Sequence, residues 1–233
     1  MKLKREWSVF GKGKTGSKVI ELLDKETPNA VSIFDSKNIP NEDNLKSGQG
    51  IIAFVPSEVL LNHVGLFLEK KINLISGATG LTWPKEISDE VAKQNLAWIS
   101  GSNFSLGMRL IHQMLTSIRD GGANLLPSAK INIHEIHHTK KIDGPSGTAI
   151  SWKEWLGNTA DINVTFERIG DVVGDHQLII DAPTEEITLR HKAKNRTIFA
   201  EGALWAAKYL DNNDLPSGIH YFEKITKQYF NQG

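Results

Sequence analysis

WSVFGKGKTG, residues 7–16, is the stretch that decides the fold. A short apolar strand over residues 7–10 runs into the spacing Gly11-x-Gly13-x-x-Gly16, and the apolar positions that follow have a helical period. Glycines in such a turn let the backbone approach a pyrophosphate, and the helix N-terminus faces the negative charge. The context predicts a dinucleotide-binding turn, with a plain glycine-rich turn as the alternative. The spacing of a P-loop, G-x-x-x-x-G-K-[ST], does not occur here.

Outward from this turn, strand-like and helix-like stretches alternate. Strands are predicted at residues 30–34, 51–55, 72–75 and 96–99, and helices at residues 59–70 and 84–94. This alternation predicts an α/β fold whose first part is a Rossmann-type, doubly wound parallel sheet. Such sheets bind ligands beyond the carboxyl ends of their strands, where we expect the loops at Gly11, Asp35, Gly77 and Ser102.

Asp35 bears on the choice of cofactor. It ends the second predicted strand, about 20 positions beyond the glycines, where a Rossmann domain holds the adenosine ribose hydroxyls. A carboxylate at this place repels the 2′-phosphate of NADPH, but Lys14 and Lys37 lie close in sequence and soften that repulsion. The residues therefore predict a nicotinamide dinucleotide, with a lean towards NADH and with NADPH left open.

The second half of the chain changes character after an amphipathic helix at residues 106–119. Further strands are predicted at residues 129–138, 162–169, 177–181 and 186–191. Their connections read as turns and one helix. The pattern predicts a smaller α+β domain with a mixed or antiparallel open sheet.

The last part of the sequence returns to a helical pattern at residues 197–210, followed by a polar turn at residues 211–218. We therefore predict a dinucleotide-binding domain at residues 1–106, on which residues 197–233 pack back. A second domain is predicted at residues 107–196.

Residues 135–149 read EIHHTKKIDGPSGTA and carry most of the predicted chemistry. Every second side chain of an extended strand shares a face, so we expect His137 and Lys141 to point the same way. Asp143-Gly144-Pro145 breaks the strand, and a Ser-Gly-Thr turn then opens a helix whose free N–H groups and hydroxyls suit a carboxylate. With His138 beside them, these groups predict an acidic small molecule that is protonated while its carboxylates are held.

Two other interpretations of this stretch stay open at the level of the residues. Adjacent histidines in a loop are mostly solvent-exposed, and Pro-Ser-Gly-Thr alone is an ordinary turn and helix cap. His134, Glu135 and His138 also fit the H-E-x-x-H pattern of zinc hydrolases, which requires both histidines on one face of a helix. The β-branched neighbours and the early Gly144-Pro145 argue against a helix, so no metal is predicted.

The whole string E-x-H-H-x-x-K-x-D-x-P-S-G-T-A resembles the signature of the 4-hydroxy-tetrahydrodipicolinate reductase (dihydrodipicolinate reductase) family. Other segments resemble family motifs in the same order along nearly the whole chain: residues 77–80, 102–107, 174–176 and 191–196. The resemblance implies NAD(P)H-dependent reduction of a small dicarboxylate, 4-hydroxy-tetrahydrodipicolinate, to tetrahydrodipicolinate in diaminopimelate and lysine synthesis. The alternative is a dinucleotide-binding sensor of the same fold that has lost catalysis.

The resemblance also implies roles for individual residues. The catalytic places, as proton donors, fall on His137 and Lys141. The places that hold the substrate carboxylates fall on His138, Ser146, Gly147 and Thr148. The dinucleotide places fall on Phe10, Gly11, Lys12, Gly13, Lys14, Thr15, Asp35, Gly77, Ala78, Thr79, Gly101, Ser102, Asn103 and Phe104. Family members are usually tetramers whose second-domain sheets pack together, which implies substrate binding and oligomerisation for the second domain and a homotetramer.

Three positions depart from the family's pattern. Phe10 stands where the family usually has its first glycine, Ala78 replaces a usual threonine, and Ser36 follows Asp35 where NADPH-using members often place arginine. The chain is also shorter than usual, mostly within residues 36–50. These departures bear on the affinity and preference for the cofactor rather than on the reaction type.

Composition excludes several classes of function. The 27 basic and 27 acidic residues cancel, so neither nucleic acid nor an anionic membrane is predicted as a partner. The chain has no cysteine, which excludes disulfides, thiol catalysis and cysteine-bound metals. No stretch approaches the roughly 20 apolar residues of a membrane span, and residues 1–6 lack the apolar core of a signal peptide. A cytoplasmic protein is therefore expected.

Overall fold

The computed structural model describes residues 1–28, 31–122, 126, 128–157 and 162–230. The chain divides into two compact units, one formed by Met1–Leu106 with Arg196–Gly233 and the other by Gly107–Asn195. The predicted fold class, a Rossmann-type parallel sheet and a smaller mixed open sheet, is confirmed. Among the helices of the described residues, none is long and apolar enough to span a membrane.

Strands and helices alternate in the first unit, whereas strands dominate the second. The strands, in chain order, are β1 (Trp7–Phe10), β2 (Ile33–Phe34), β3 (Gly50–Ala53), β4 (Asn73–Ser76), β5 (Ala97–Ser100), β6 (Lys130–His137), β7 (Ile162–Arg168), β8 (Gly174–Ala182), β9 (Glu185–Ala193) and β10 (Gly218–Tyr221). The α-helices are α1 (Gly16–Glu26), α2 (Ser57–Leu61), α3 (Val64–Glu69), α4 (Lys85–Lys93), α5 (Leu106–Ser117), α6 (Gly147–Leu156), α7 (Thr197–Asn212) and α8 (Phe222–Phe230). A π-helical turn, Ile118–Gly122, continues α5.

The sheet of the first unit is parallel throughout and has the strand order β10-β5-β4-β3-β1-β2. Successive residues of its strands enter two different cores: Ile52 and Ile75 face α1 and α7, whereas Ile51 and Leu74 face the opposite core with α3 and α4. Buried apolar residues on both faces explain the continuous hydrophobic runs in the sequence. The carboxyl ends of the strands therefore meet at one edge, where the glycine-rich turn lies.

The helix predicted at residues 59–70 is wrong as a single element, because α2 ends at Leu61 and α3 starts at Val64. His63 accounts for the break. Its N–H donates to the carbonyl of Leu60 at 3.0 Å, three residues back, and its ring Nδ1 lies 2.8 Å from the carbonyl of Val59. A side chain that occupies the i−4 carbonyl competes with the helical hydrogen bond, so the helix is interrupted there.

The two edge strands of this sheet also differ from prediction. The strand predicted at residues 30–34 spans only Ile33–Phe34, and Ala30 lies outside the described residues. In place of a polar turn that lasts to residue 218, α7 continues to Asn212, and Gly218–Tyr221 forms a strand beside β5. A four-residue edge strand that is half exposed has little hydrophobic pattern, and its partner lies more than a hundred residues earlier in the chain.

The second unit is a mixed sheet with the order β7-β6-β8-β9, in which β6 runs parallel to β7 and antiparallel to β8. Alternate residues of β6 are buried: Ile131, Ile133, Glu135 and His137. Trp152 of α6 is fully buried beside this face and donates its indole N–H to the sulfur of Met108, 3.1 Å away. The same strand face that supplies the core thus also carries a carboxylate and an imidazole.

Asp211, near the end of α7, connects two segments of the first unit that are far apart in sequence. Its fully buried carboxylate accepts hydrogen bonds from the N–H of Lys4 at 2.7 Å and from the indole N–H of Trp7 at 3.0 Å. The guanidinium of Arg5 adds an ion pair at 2.5 Å. One buried acid therefore ties the segment before β1 to a helix from the other end of the sequence.

Candidate functional site

The turn after β1 is shaped by main-chain contacts that only glycine permits. Gly11 has φ +103°, and a Cβ added to it would lie 2.4 Å from the carbonyl oxygen of Phe54. A Cβ on Gly16 would lie 1.8 Å from the carbonyl oxygen of Gly11. Gly13, in contrast, has nothing within 4 Å of an added Cβ, so this side of the turn is open. The main chain of this turn is therefore tightly packed at Gly11 and Gly16, and its open side at Gly13 is free to contact a ligand. We call this arrangement the backbone cradle.

A pocket of about 740 Å³ adjoins this turn, which is within the usual range for small-molecule sites. It brings together five of the predicted dinucleotide residues: Phe10, Gly11, Lys12, Gly13 and Asp35. Its other lining residues are mainly apolar: Ile39, Val55, Pro56, Val59 and His63, beside Ser17 and Ser36. The arrangement offers main-chain and charged groups on one side and an apolar surface on the other.

Phe10 lines the floor of this pocket. Its side chain is buried, and its ring packs edge-on against the rings of His63 at 5.0 Å and Phe67 at 6.3 Å. The positive φ of the turn falls on Gly11, the residue after it. The departure from glycine at position 10 is thus accommodated because the phenyl ring enters the core and the next residue makes the turn.

Asp35 is half-buried and ionised, just after the end of β2. Its Oδ1 accepts hydrogen bonds from the N–H groups of Lys37 at 2.8 Å and Asn38 at 3.1 Å. These bonds, helped by the charges of Lys12 and Lys37, lower the pKa of Asp35 below its ordinary value. One carboxylate therefore lies at this end of the pocket, within the electrostatic influence of two lysines.

The other predicted dinucleotide residues lie on the same edge of the sheet but do not line the pocket. Lys14 and Thr15 stand just before α1, where Thr15 is the N-cap without a side-chain bond. The loops after β4 and β5 hold the remainder: Gly77, Ala78, Thr79, Gly101, Ser102, Asn103 and Phe104. Ala78 and Phe104 are buried, and the Phe104 ring packs 4.5 Å from that of Phe222.

The second unit gathers its polar groups around Glu135, whose side chain is fully buried. Its Oε1 accepts hydrogen bonds from the N–H of Ser146 at 3.0 Å and from the guanidinium of Arg168 at 3.2 Å. The hydroxyl of Ser146 donates to its Oε2. Two imidazoles complete the cluster: His137 Nδ1 lies 3.6 Å from Oε1, and His176 Nε2 lies 3.5 Å from Oε2.

The protonation states within this cluster follow from burial and charge. Burial alone would raise the pKa of Glu135, but the contacts from His176 and Ser146 outweigh it and lower the pKa to about 2. Burial lowers the pKa of His137 to about 4, and the neighbouring His176 acts in the same direction. At neutral pH Glu135 is therefore a carboxylate and His137 a neutral imidazole.

Of the residues predicted to act on the substrate, His137 belongs to this cluster, whereas His138 and Lys141 lie on the turn that follows β6. β6 ends at His137, so the extended spacing that predicted a common face for His137 and Lys141 stops short of Lys141. The Lys141 ammonium donates to both carboxylate oxygens of Asp143 at 2.7 and 2.8 Å. His138 is half-buried at the start of the turn that leads to Lys141.

The predicted Ser-Gly-Thr turn does open a helix. Ser146 is the N-cap of α6, and its Oγ accepts a hydrogen bond from the N–H of Ala149 at 3.2 Å. The N–H and O–H of Ser146 are both directed to Glu135. Gly147 and Thr148 form the first turn of α6, whose N–H groups have no acceptor within a helix and carry its positive dipole end. These two N–H groups suit a carboxylate.

The zinc-hydrolase pattern lacks its structural context. His134 and Glu135 lie on strand β6 rather than on a helix. The two side chains point to opposite faces of this strand, and the Nδ1 atom of His134 lies 2.9 Å from the hydroxyl of Thr165. A different trio of metal-ligand types, Glu135, His137 and His176, has donor atoms within 4.8 Å of one another. Its carboxylate is already charge-paired with Arg168, so the arrangement favours a hydrogen-bonded cluster over a metal cage.

Glu135, Arg168 and His176 are functional candidates to which the sequence analysis assigned no role in binding or catalysis. The sequence does contain a signal that Glu135 is buried, because the alternation of β6 places it on the same face as Ile131 and Ile133. His176 lies in the segment 174–176 that resembles a family motif, whereas the sequence offered no such signal for Arg168. They reach the cluster through the strand register, in which His137 pairs with Arg168 and Glu135 pairs with His176.

Comparison with known proteins adds an independent line of observation. A family model described as dihydrodipicolinate reductase, C-terminus, matches residues 107–225. A Thermosipho africanus protein described as 4-hydroxy-tetrahydrodipicolinate reductase is 31% identical over 219 residues, which cover 94% of this chain and 96% of the relative. A Rickettsia rickettsii protein with the same description is 30% identical over 234 residues, or 92% of this chain and 95% of the relative. A solved structure described as a dipicolinate-bound dihydrodipicolinate reductase from a Paenisporosarcina species has the same fold. The two structures superpose with a TM-score of 0.71 at 18% sequence identity, and the match covers 97% of this chain and 100% of that chain.

Proposed function

The chain belongs to the dihydrodipicolinate reductase family, which confirms the resemblance seen in its sequence, and on this premise we propose that it reduces 4-hydroxy-tetrahydrodipicolinate to tetrahydrodipicolinate. The reaction would serve diaminopimelate and lysine synthesis. The observation that carries the proposal is the buried, ionised Glu135, which gathers His137, Ser146 and Arg168 beside the turn that holds Lys141.

The first unit is proposed to bind the dinucleotide. The fit is supported by the turn at Gly11 and Gly16, where a Cβ would meet main-chain atoms, by the open side at Gly13, and by the ionised Asp35 at the pocket. The dinucleotide, when bound, supplies the hydride. The chain's own residues hold it: the turn offers N–H groups to the pyrophosphate, and Asp35 accepts from the ribose hydroxyls.

The second unit is proposed to hold the substrate and supply the proton. The N–H groups of Gly147 and Thr148 bind one carboxylate at the helix N-terminus, and His138 binds near the other. Because burial keeps His137 neutral at pH 7, we assign the donated proton to the Lys141 ammonium. His137 then lies beside the reacting ring as a neutral hydrogen-bonding group.

NADH is the proposed preference between the two dinucleotides. The carboxylate of Asp35 is ionised and lines the pocket, so it repels a 2′-phosphate. Lys12 and Lys37 act on the same carboxylate and reduce this repulsion, which supports use of NADPH at a lower rate. The preference is therefore proposed to be moderate.

The protein is also proposed to be a cytoplasmic homotetramer that assembles through the second unit. Phe166, Ile169 and Ile187 are exposed apolar side chains on this unit, and such surface commonly marks a contact with another subunit. Light scattering coupled to gel filtration measures the mass of the assembly. A mass of one chain at assay concentration would contradict this part of the proposal.

A coupled assay tests the activity. Pyruvate and aspartate semialdehyde are condensed in situ, the purified protein is added, and loss of nicotinamide absorbance is followed with NADH and NADPH separately. Protein-dependent consumption, faster with NADH, is expected. Folded protein that binds NADH but consumes neither dinucleotide would overturn the proposal in favour of a dinucleotide-binding sensor.

A further inference from the structure

We propose that Arg168 is a positioning residue for this reaction, which fixes the turn carrying Lys141 to the buried carboxylate of Glu135. The inference rests on the proposed function in one respect, namely that Lys141 acts on the substrate. The placement of the turn by Arg168 is a separate statement, and it has its own measurement.

The guanidinium of Arg168 is engaged at every donor. Its Nε donates to the carbonyl of Lys141 at 3.2 Å, and its Nη2 donates to the carbonyl of Asp143. Nη1 donates to the carbonyl of Glu167 at 2.8 Å, and both Nη atoms donate to Glu135 at 3.2 Å. Arginine has five N–H donors in a fixed plane, and all five are used here. Two of them hold carbonyls that flank Ile142 in the turn.

The other hydrogen bonds of the turn lie before Ile142: the N–H of Thr139 donates to the carbonyl of Gly170 at 3.0 Å, and the N–H of Lys141 donates to the carbonyl of His138 at 3.1 Å. Ile142, between the two carbonyls bound by Arg168, has a fully exposed side chain and so contributes no packing. The Asp143 carboxylate is 62% exposed and contacts Lys141 of the same turn. An exposed ion pair within one turn contributes little to its placement. The hydrogen bonds from Arg168 therefore hold the second half of the turn, from the carbonyl of Lys141 to that of Asp143.

Arg168 is in turn held rigidly by its surroundings. Its side chain is only 17% exposed, and its Cζ lies 4.8 Å from the centre of the Phe166 ring. Glu135, which it contacts, also holds Ser146 at the start of α6. One buried acid–base pair thus sets both the lysine turn and the helix N-terminus proposed to bind the substrate. A planar group that donates from both Nη atoms to one carboxylate oxygen and also reaches two turn carbonyls is specific to arginine.

The experiment compares Arg168→Lys and Arg168→Gln with wild type. Lysine keeps the positive charge beside Glu135 but loses the fork, whereas glutamine loses both. Arg119→Gln is the matched control, because Arg119 belongs to the same unit, is exposed and pairs with its neighbour Asp120. Each protein is first shown to be folded by a cooperative melting transition.

The first readout needs no turnover. Limited digestion with a lysine-specific endoproteinase, analysed by mass spectrometry, measures the rate of cleavage after Lys140 and Lys141. Loss of two charge-assisted hydrogen bonds to the turn is expected to raise this rate about tenfold or more in both Arg168 variants. The control should cleave at the wild-type rate.

The second readout is steady-state kinetics. A misplaced catalytic group costs about a hundredfold, so we expect kcat to fall by about that factor in both variants. The Kd for NADH should stay at the wild-type value, since the proposed dinucleotide site lies on the first unit. A purely electrostatic role would leave Arg168→Lys close to wild type.

Three results would overturn the inference: unchanged cleavage of the turn in folded variants, unchanged kcat despite faster cleavage, or failure of both variants to fold. The last would make Arg168 a structural residue. If wild type shows no reductase activity, the proposed function fails on that observation alone, and the digestion still decides whether Arg168 fixes the turn.

Discussion

The candidate sites of the two units are built from different groups. In the first unit, a turn of six residues from Gly11 to Gly16 shapes a pocket through main-chain contacts, and the carboxyl that lines this pocket, Asp35, is half-buried and bonded to two backbone N–H groups. In the second, Glu135 is fully buried and draws partners from three other segments of the chain. The site in the first unit requires glycines at positions where a Cβ would meet main-chain atoms. The cluster in the second unit requires particular charged and polar side chains. The two should therefore respond to different perturbations.

The largest expected effect separates chemistry from dinucleotide binding. Lys141→Ala removes the proposed proton donor, and general acid catalysis contributes about 10²- to 10⁴-fold, so kcat should fall by that factor. The Kd for NADH, measured by fluorescence titration, should not change. Lys140→Ala is the matched control from the same turn. Near-wild-type turnover of Lys141→Ala would remove this lysine from the chemistry.

A pair of glycine substitutions sharpens the comparison from the other side. Gly16→Ala places a Cβ 1.8 Å from a main-chain oxygen, and forced overpacking of this kind costs about 3 kcal/mol, to be measured by urea unfolding of the first unit. Gly13→Ala meets no atom within 4 Å and should leave stability unchanged. Its methyl group should nonetheless weaken NADH binding about tenfold if the pyrophosphate lies there. Equal stability loss in both variants would contradict the backbone-cradle interpretation.

Acid should destabilise the second unit. The pKa of His137 falls from 6.5 to about 4 on folding, so the unfolded chain binds more protons across that range and stability rises with pH through it. At pH 5 this amounts to about 2 kcal/mol lost relative to pH 7.5. Glu135, with a pKa of about 2, adds a further loss only as pH falls from 4.5 towards 2.

The corresponding measurement is urea unfolding at pH 7.5 and pH 5 for wild type and His137→Gln. The variant lacks the titrating imidazole, so its loss of stability between the two pH values should be smaller by about 2 kcal/mol. An identical pH dependence in both proteins would show that His137 is not held neutral in the folded chain.

The smallest effect concerns the Asp35 carboxylate of the first unit. Asp35→Asn keeps an oxygen for the N–H groups of Lys37 and Asn38 but removes the charge. A charge pair in contact with water is worth about 1 kcal/mol, so the ratio of kcat/KM for NADPH to that for NADH should rise about fivefold. An unchanged ratio would assign the preference to other groups.

The difference between local and long-range contacts also explains which features could be predicted from the sequence. Most strands of the parallel sheet, the turn after β1 and the helix that starts at Ser146 were predicted correctly, because the sequence pattern of each one lies within about a dozen neighbouring residues. The contacts of Arg168 and His176 with Glu135 were missed, because they follow from the register of β6 with β7 and β8, even though His176 lies in the motif-like segment 174–176. The strand Gly218–Tyr221 was missed for the same reason, since its partner is β5.

The contacts of Asp211 have a consequence for how the chain acquires its fold during synthesis. The core that contains Trp7, Val9 and Val19 also contains Ala203, Ala207 and Phe222, so these earlier residues cannot be fully packed until the later ones have been synthesised. The second unit, Gly107–Asn195, is continuous in sequence and has all of its strands available earlier. On the ribosome the second unit should therefore become compact before the first unit is complete.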